Sequence, residues 1–206
     1  MSSTNRRSFL ARSAALAAVP AVAALAGGAL ADPASAATLP VPPSAQLTNR
    51  HLTAREKANL ATVLQAYHDG EGTSLDPQGF RDLFTADGVL NGIGDVGGQY
   101  SFQGTQLSDL ITLLAGFLPD IHRELKLITV SGDVVCIQLF IQGTFLGPYQ
   151  SPAGPIPPTG SKVNFPTGDF WYLRDGKVEV FDCHIAFTTM YAQLGVLPDW
   201  ASAIGK

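Results

Sequence analysis

Apolar positions at Leu60, Val63, Leu64 and Tyr67 recur at helical spacing, and Thr53 with Glu56 three residues on has the form of a capping box. The pattern therefore predicts a helix that begins at Thr53 and ends near Asp69-Gly70. A loop from Gly70 to Pro77 follows, and Phe80, Leu83 and Phe84 predict a short second helix. Val89-Leu90 opens a strand that runs into the glycine-rich stretch Gly92 to Gly98. Leu107, Leu110, Ile111, Leu114 and Phe117 mark a third, amphipathic helix, stopped by Pro119. From there the period changes from helical to alternating. Residues 121–130, 134–145, 162–166, 168–174 and 177–188 are rich in β-branched and aromatic side chains and read as strands. Ser131-Gly132-Asp133 and Asp175-Gly176 supply turns between them, and Gly147 to Gly160, with five prolines, is a long loop. Helices first and an antiparallel sheet afterwards is the order of an α+β domain.

The residues before Thr53 have a different character. Arg6-Arg7-Ser8-Phe9-Leu10 has the form of a bacterial twin-arginine export signal. Behind it, from about Ala14 to Ala31, runs a weakly apolar, alanine-rich stretch broken by Pro20 and Gly27-Gly28, a poor membrane anchor. Ala34-Ser35-Ala36 suits a signal peptidase, with Ala29-Leu30-Ala31 as an alternative. The expected organisation is a signal over 1–36, an extended proline-containing lead-in over 37–52 and a folded domain over 53–206, in a protein that is secreted or held in the cell envelope.

The leader holds three of the 13 basic residues and one of the 17 acidic ones, so the remainder carries 10 against 16, a net charge of about −6. With no cluster of lysine or arginine to interrupt that field, nucleic acid is excluded as a partner. Of the two cysteines, Cys136 and Cys183, both fall in strands; an oxidising destination permits a bridge, and two buried free thiols are the alternative. The chain shows no spaced set of metal ligands, no phosphate loop and no nucleophile elbow, so no cofactor or metal is expected.

The last hairpin allows a closer reading. A two-residue turn at Asp175-Gly176 pairs Arg174 with Lys177 and, continued regularly, sets Asp169 opposite Asp182, Trp171 opposite Val180 and Leu173 opposite Val178. One face then carries Asp169, Trp171, Leu173, Val178, Val180, Asp182 and His184, apolar near the turn and ionisable at the far end. That is the composition of a pocket wall, with Trp171, Leu173, Val178 and Val180 as substrate contacts and Asp169, Asp182 and His184 as a proton-exchanging group. The opposite reading turns this face to solvent. If the pocket reading holds, Phe170, Tyr172, Phe181, Ile185 and Phe187 form an outer apolar patch suited to a homodimer. His122 falls with Glu124 and Lys126 on a solvated or interface face, with a catalytic place as the alternative; Tyr67 continues the core stripe of the first helix, and His68 either caps its end or reaches the pocket mouth.

The run Phe84-Thr85-Ala86-Asp87-Gly88-Val89-Leu90, the segment from His122-Arg123-Glu124 to Ser131-Gly132-Asp133-Val134, Gly143-Thr144, Pro157-Pro158-Thr159-Gly160, Asp169-Phe170 and Asp175-Gly176-Lys177-Val178 resemble, in order, the landmarks of the SnoaL-like polyketide cyclases, within the nuclear transport factor 2-like superfamily. The similarity covers nearly all of residues 54–197. The resemblance implies a cone: a strongly curved antiparallel sheet around helices, with a largely apolar pocket at its open end and Asp169 pointing inward. Asp182 and His184 depart from the family pattern, which has a tryptophan and an apolar residue there. Ketosteroid isomerases share the fold, but Asn91-Gly92 stands where their catalytic base would fall, which argues against that chemistry. Fold does not decide function. Three functions are compatible with the chain: an acid–base enzyme of cyclase, dehydratase or hydrolase type acting on a small apolar carbonyl compound, a non-catalytic binder of a small apolar molecule, and a structural, dimer-forming domain.

Overall fold

The computed structural model describes residues 39–196 apart from 50, 97, 152 and 153; the expected export signal lies outside the described residues. The elements run β1 (Gln46–Leu47), α1 (Ala54–Gly70), α2 (Pro77–Asp82), β2 (Phe84–Gly94), β3 (Gln99–Gln103), α3 (Thr105–Phe117), β4 (His122–Ser131), β5 (Val134–Thr144), β6 (Tyr149–Ser151), β7 (Gly154–Ile156), β8 (Lys162–Arg174), β9 (Lys177–Ile185) and α4 (Phe187–Gln193).

The capping box forms at the start of α1: the Thr53 side chain accepts from the Glu56 N–H, and Glu56 accepts from the Thr53 N–H at 2.9 Å. Glu56 also accepts from the Gly132 N–H at 3.0 Å, and Asn59 donates to the Gly132 carbonyl at 3.0 Å, so the cap fastens α1 to the β4–β5 turn. Thr53→Ala is expected to cost about 1 kcal/mol, read as a lowered urea midpoint with an unchanged slope; an unshifted midpoint would show that the Glu56 tie to the turn suffices.

One seven-stranded sheet, in the order β1-β4-β5-β8-β9-β2-β3, carries the fold; β6 and β7 form a separate small hairpin inside the long proline-rich loop. The sheet is antiparallel except at two places, β1 with β4 and β2 with β9, where the pairing is parallel. Helices α1 and α3 send Leu60, Val63, Leu64, Tyr67, Leu107 and Ile111 into one core with the inward side chains of the sheet.

Three boundaries differ from the sequence pattern for local reasons. Phe84 pairs with Val178 and starts β2 instead of continuing α2. The two strands expected over 162–174 are one, β8, running through Pro166. Its carbonyl accepts from the Ala186 N–H, so its nitrogen points to the side where β9 has ended and no donor is missed there. Phe187, expected in the last strand, instead begins α4 and packs with Met190 against the core.

The Asp175-Gly176 turn forms as expected, with φ of 53° and 76° at its two residues. Two residues beyond it the register shifts: Leu173 pairs with Val178, but Tyr172 pairs with Val180, leaving Glu179 as the extra residue of a β-bulge. Beyond this bulge the regular pairing no longer holds.

Candidate active site

Strand β8 alternates without a fault. Val163, Phe165, Thr167, Asp169, Trp171 and Leu173 point inward and are buried, while Phe170 and Tyr172 point out. On β9 the bulge reverses the expected parity. Asp169 faces Cys183 and Trp171 faces Phe181; Phe170 faces Asp182 and Gly168 faces His184. Phe181 and Cys183 therefore point into the fold, and Val180, Asp182 and His184 onto the outer face.

The expected trio does not converge. Asp169 is buried, at 3 % exposure, whereas His184 is exposed and sets its ring edge-on to Phe170 at 5.4 Å. Asp182 accepts from Asn91 Nδ2 at 2.7 Å on the outer face, and Asn91 in turn accepts from the Ser101 hydroxyl. Of the four expected contacts, Trp171 lines the cavity, Leu173 and Val178 lie in the core away from it, and Val180 is on the other side of the sheet. The outer patch is reduced as well. Phe181 is buried against Trp171, and Ile185 and Phe187 line the cavity, so only Phe170 and Tyr172 of the five remain outside.

Asp169 has two other partners. The Tyr67 hydroxyl donates to Asp169 Oδ2 at 2.7 Å, and Trp171 Nε1 donates to the Tyr67 hydroxyl oxygen at 3.1 Å, an unbroken relay between buried groups. The indole is fixed on both sides, stacked on Phe181 at 3.5 Å between ring centres and edge-on to Tyr67 at 5.5 Å. Among the described residues Asp169 Oδ1 receives no N–H or O–H hydrogen bond, and the weakly donating Cys183 thiol is the other polar group against the carboxyl. Burial pushes the Asp169 pKa up to about 6, with the Tyr67 bond, the Cys183 thiol and the charge of Arg123 pulling the other way. Burial also raises Tyr67 and Cys183 well above their ordinary values, so both keep their protons at neutral pH.

These groups border a cavity of about 150 Å³ whose remaining wall is almost wholly apolar: Leu90, Phe102, Ile111 and Leu114 among others, with Phe187 and Met190 of α4. Among the described residues Arg123 is its one cation. Its side chain is 10 % exposed, and the guanidinium donates to the Gly70 carbonyl at 2.6 Å and lies 3.8 Å from Glu71. Its neighbour His122 sits outside, exposed and 2.7 Å from Glu71, and His68 is exposed too. Cys136 points outward opposite Phe170 and Cys183 inward, so the two cysteines are free thiols on opposite faces and no bridge forms. Among the described residues no group of three or more His, Cys, Asp and Glu is placed to hold a metal ion.

The sequence pattern of the SnoaL-like domain matches residues 64–181, more than half of the chain. The protein belongs to the SnoaL-like family. Its fold is that of the nuclear transport factor 2-like superfamily, and solved structures agree. A Jannaschia sp. CCS1 protein named as a SnoaL-like polyketide cyclase superposes with a TM-score of 0.60 at 21% identity, over 73% of this chain and 100% of that one. AclR from Streptomyces galilaeus, named as a hydroxylase, gives 0.58 at 19% identity, over 73% and 95%. A phenazine biosynthesis-related protein from Pseudomonas aeruginosa gives 0.57 at 17%, over 70% and 90%. At such identities the likeness is one of fold. No curated protein matches the sequence at a significant level.

In this SnoaL-like domain the inward aspartate stands where the resemblance placed it. Tyr67 and Arg123 are the polar groups that the pattern did not single out. Alternation from the outward His122 puts Arg123 inside, a signal that was available in the sequence; nothing distinguishes Tyr67 from an ordinary member of a helix stripe.

Proposed function

We propose that this SnoaL-like domain is a general acid–base enzyme of cyclase, dehydratase or hydrolase type, acting on a small apolar carbonyl compound, with Asp169 as the group that exchanges the proton. One observation carries the reading: a buried carboxyl poised near pH 6, with one oxygen held by Tyr67 and the other without an N–H or O–H partner among the described residues, in a cavity otherwise nearly all apolar. Near neutral pH Asp169 is largely the carboxylate and accepts a proton from a carbon next to a carbonyl; its pKa close to working pH favours both taking the proton and returning it. Tyr67, kept protonated, holds the carboxylate oriented and supports its charge. Arg123 keeps a positive charge near the site as negative charge develops on the substrate oxygen. The apolar wall keeps water from the carboxylate.

A neighbour named as a polyketide cyclase fits carbonyl chemistry. A cavity of about 150 Å³ admits a body of about one six-membered ring. Native mass spectrometry of the protein purified from its own host tests this directly. A retained compound of that size bearing a carbonyl supports the proposal; a retained highly charged or much larger ligand refutes it.

We also propose export by the twin-arginine route, on the strength of Arg6-Arg7 and the run behind them. Lysine at both positions is expected to abolish export, and N-terminal sequencing of the wild-type product to begin near Ala37. A secreted product that starts at Met1, or export by the doubly substituted chain, would refute it.

A further inference from the structure

In strand β2, Leu90 points into the core and borders the cavity, Asn91 points out to Asp182, and the next inward position, Gly92, carries no side chain. A glycine in a strand interior weakens the strand and leaves nothing to pack, so its presence calls for a reason. Backbone strain is not that reason: φ at Gly92 is outside the positive range. Crowding is not either, because a β-carbon built there meets no atom within 4 Å. Gly94, two residues on, is the contrast; a β-carbon there would lie 2.3 Å from the Phe187 ring, so the fold itself requires that glycine.

The register fixes what the open space faces. Gly92 pairs with Cys183 and Cys183 with Asp169, so the three lie in one row across β2, β9 and β8 on the inner face. Neighbouring strands are about 4.8 Å apart, which puts Gly92 roughly 10 Å from Asp169 along that row. This is about the reach of a single ring with one substituent. The rows on either side are filled, by Leu90, Phe181 and Trp171 on one and by Ile185, Thr167 and the Phe187 ring over Gly94 on the other, which makes Gly92 the low point of the wall.

We infer that Gly92 is a specificity-determining residue: a flat, single-ring carbonyl compound lies against the bare backbone of β2 and over Cys183, presenting its exchangeable proton to Asp169. The inference rests on the proposed reading of the cavity as a substrate site and adds where, and in what orientation, the substrate sits. A side chain at position 92 occupies the ligand's place while leaving the fold intact.

Acetophenone, a flat one-ring ketone, serves as the probe, with binding followed by calorimetry and by the Trp171 indole signal in NMR. Wild type is expected to bind it saturably. Gly92→Leu is expected to weaken binding at least tenfold while melting no lower than wild type, since it fills empty apolar space. Gly92→Ala should bind several-fold more weakly than wild type. Gly168→Leu, on the outer face where a β-carbon also meets nothing, should bind as wild type does. Equal binding by wild type and Gly92→Leu would overturn the assignment of Gly92 while leaving the cavity a binding site. A Gly92→Leu chain that does not fold, with Gly92→Ala binding normally, would also overturn it. No binding by wild type would instead defeat the single-ring reading of the cavity, and this inference with it.

Discussion

Asp169→Asn is expected to lower turnover of the compound retained by the protein by roughly 100- to 10,000-fold, the range that positioned acid–base groups contribute. The amide preserves shape and can still accept from Tyr67, so the loss reports the proton and not the packing. The same substitution has a second readout that needs no substrate. Asp169 holds its proton more tightly when folded, at about 6 against an ordinary 3.8. Stability from this group is therefore complete below about pH 4 and falls as pH rises through 6, by about 3 kcal/mol. Wild-type melting temperature should show that decline on top of the other titrations, and Asp169→Asn should lack it, being at least as stable as wild type at pH 7. Undiminished turnover in the variant would dismiss Asp169 as the proton-transferring group. An unchanged pH profile of stability would show that the carboxyl is not held up near 6.

Tyr67→Phe carries the second large effect. It removes one oxygen, and with it the hydrogen bond that each of two buried partners, Trp171 Nε1 and Asp169 Oδ2, makes to Tyr67. Each orphaned group costs roughly 1–3 kcal/mol. The edge-on contact with Trp171 survives, so the loss belongs to the relay and not to the ring. Losing the Tyr67 bond also removes the largest influence that lowers the Asp169 pKa, so the stability decline should shift above pH 6. Urea unfolding at pH 7 measures the first effect and its pH series the second. A loss below about 1 kcal/mol would mean that water replaces the hydroxyl.

Much of the scaffold was legible because its signals are local. The capping box at Thr53 and Glu56, the Asp175-Gly176 turn and the inward alternation of Asp169, Trp171 and Leu173 each depend on a few adjacent residues, and each is found in the fold. The site was legible only in part, because its geometry is set by a contact between strands. Val178, Glu179 and Val180 continue a perfect alternation on paper. Nothing in those residue types announces that Glu179 drops out of register, yet that slip carries Asp182 and His184 away from Asp169, brings Cys183 to it and sets Phe181 against Trp171. Tyr67 was hidden for another reason. A tyrosine on a helix stripe looks the same whether its hydroxyl ends in solvent or on a carboxylate 102 positions away, and only the packing of α1 over β8 distinguishes the two.

The bulge at Glu179 also bears on how relatives of this chain are compared. Along a strand, which side of the sheet a position serves is a matter of odd and even, and one inserted residue exchanges the two sets from that point on. A relative without the extra residue would line the same cavity with the positions that here hold Val180, Asp182 and His184, and would turn outward those that here hold Phe181 and Cys183. Matching residue against residue by count along this strand would then equate an inner wall with an outer one. The unit that carries over between relatives is the row across the sheet, anchored on Asp169.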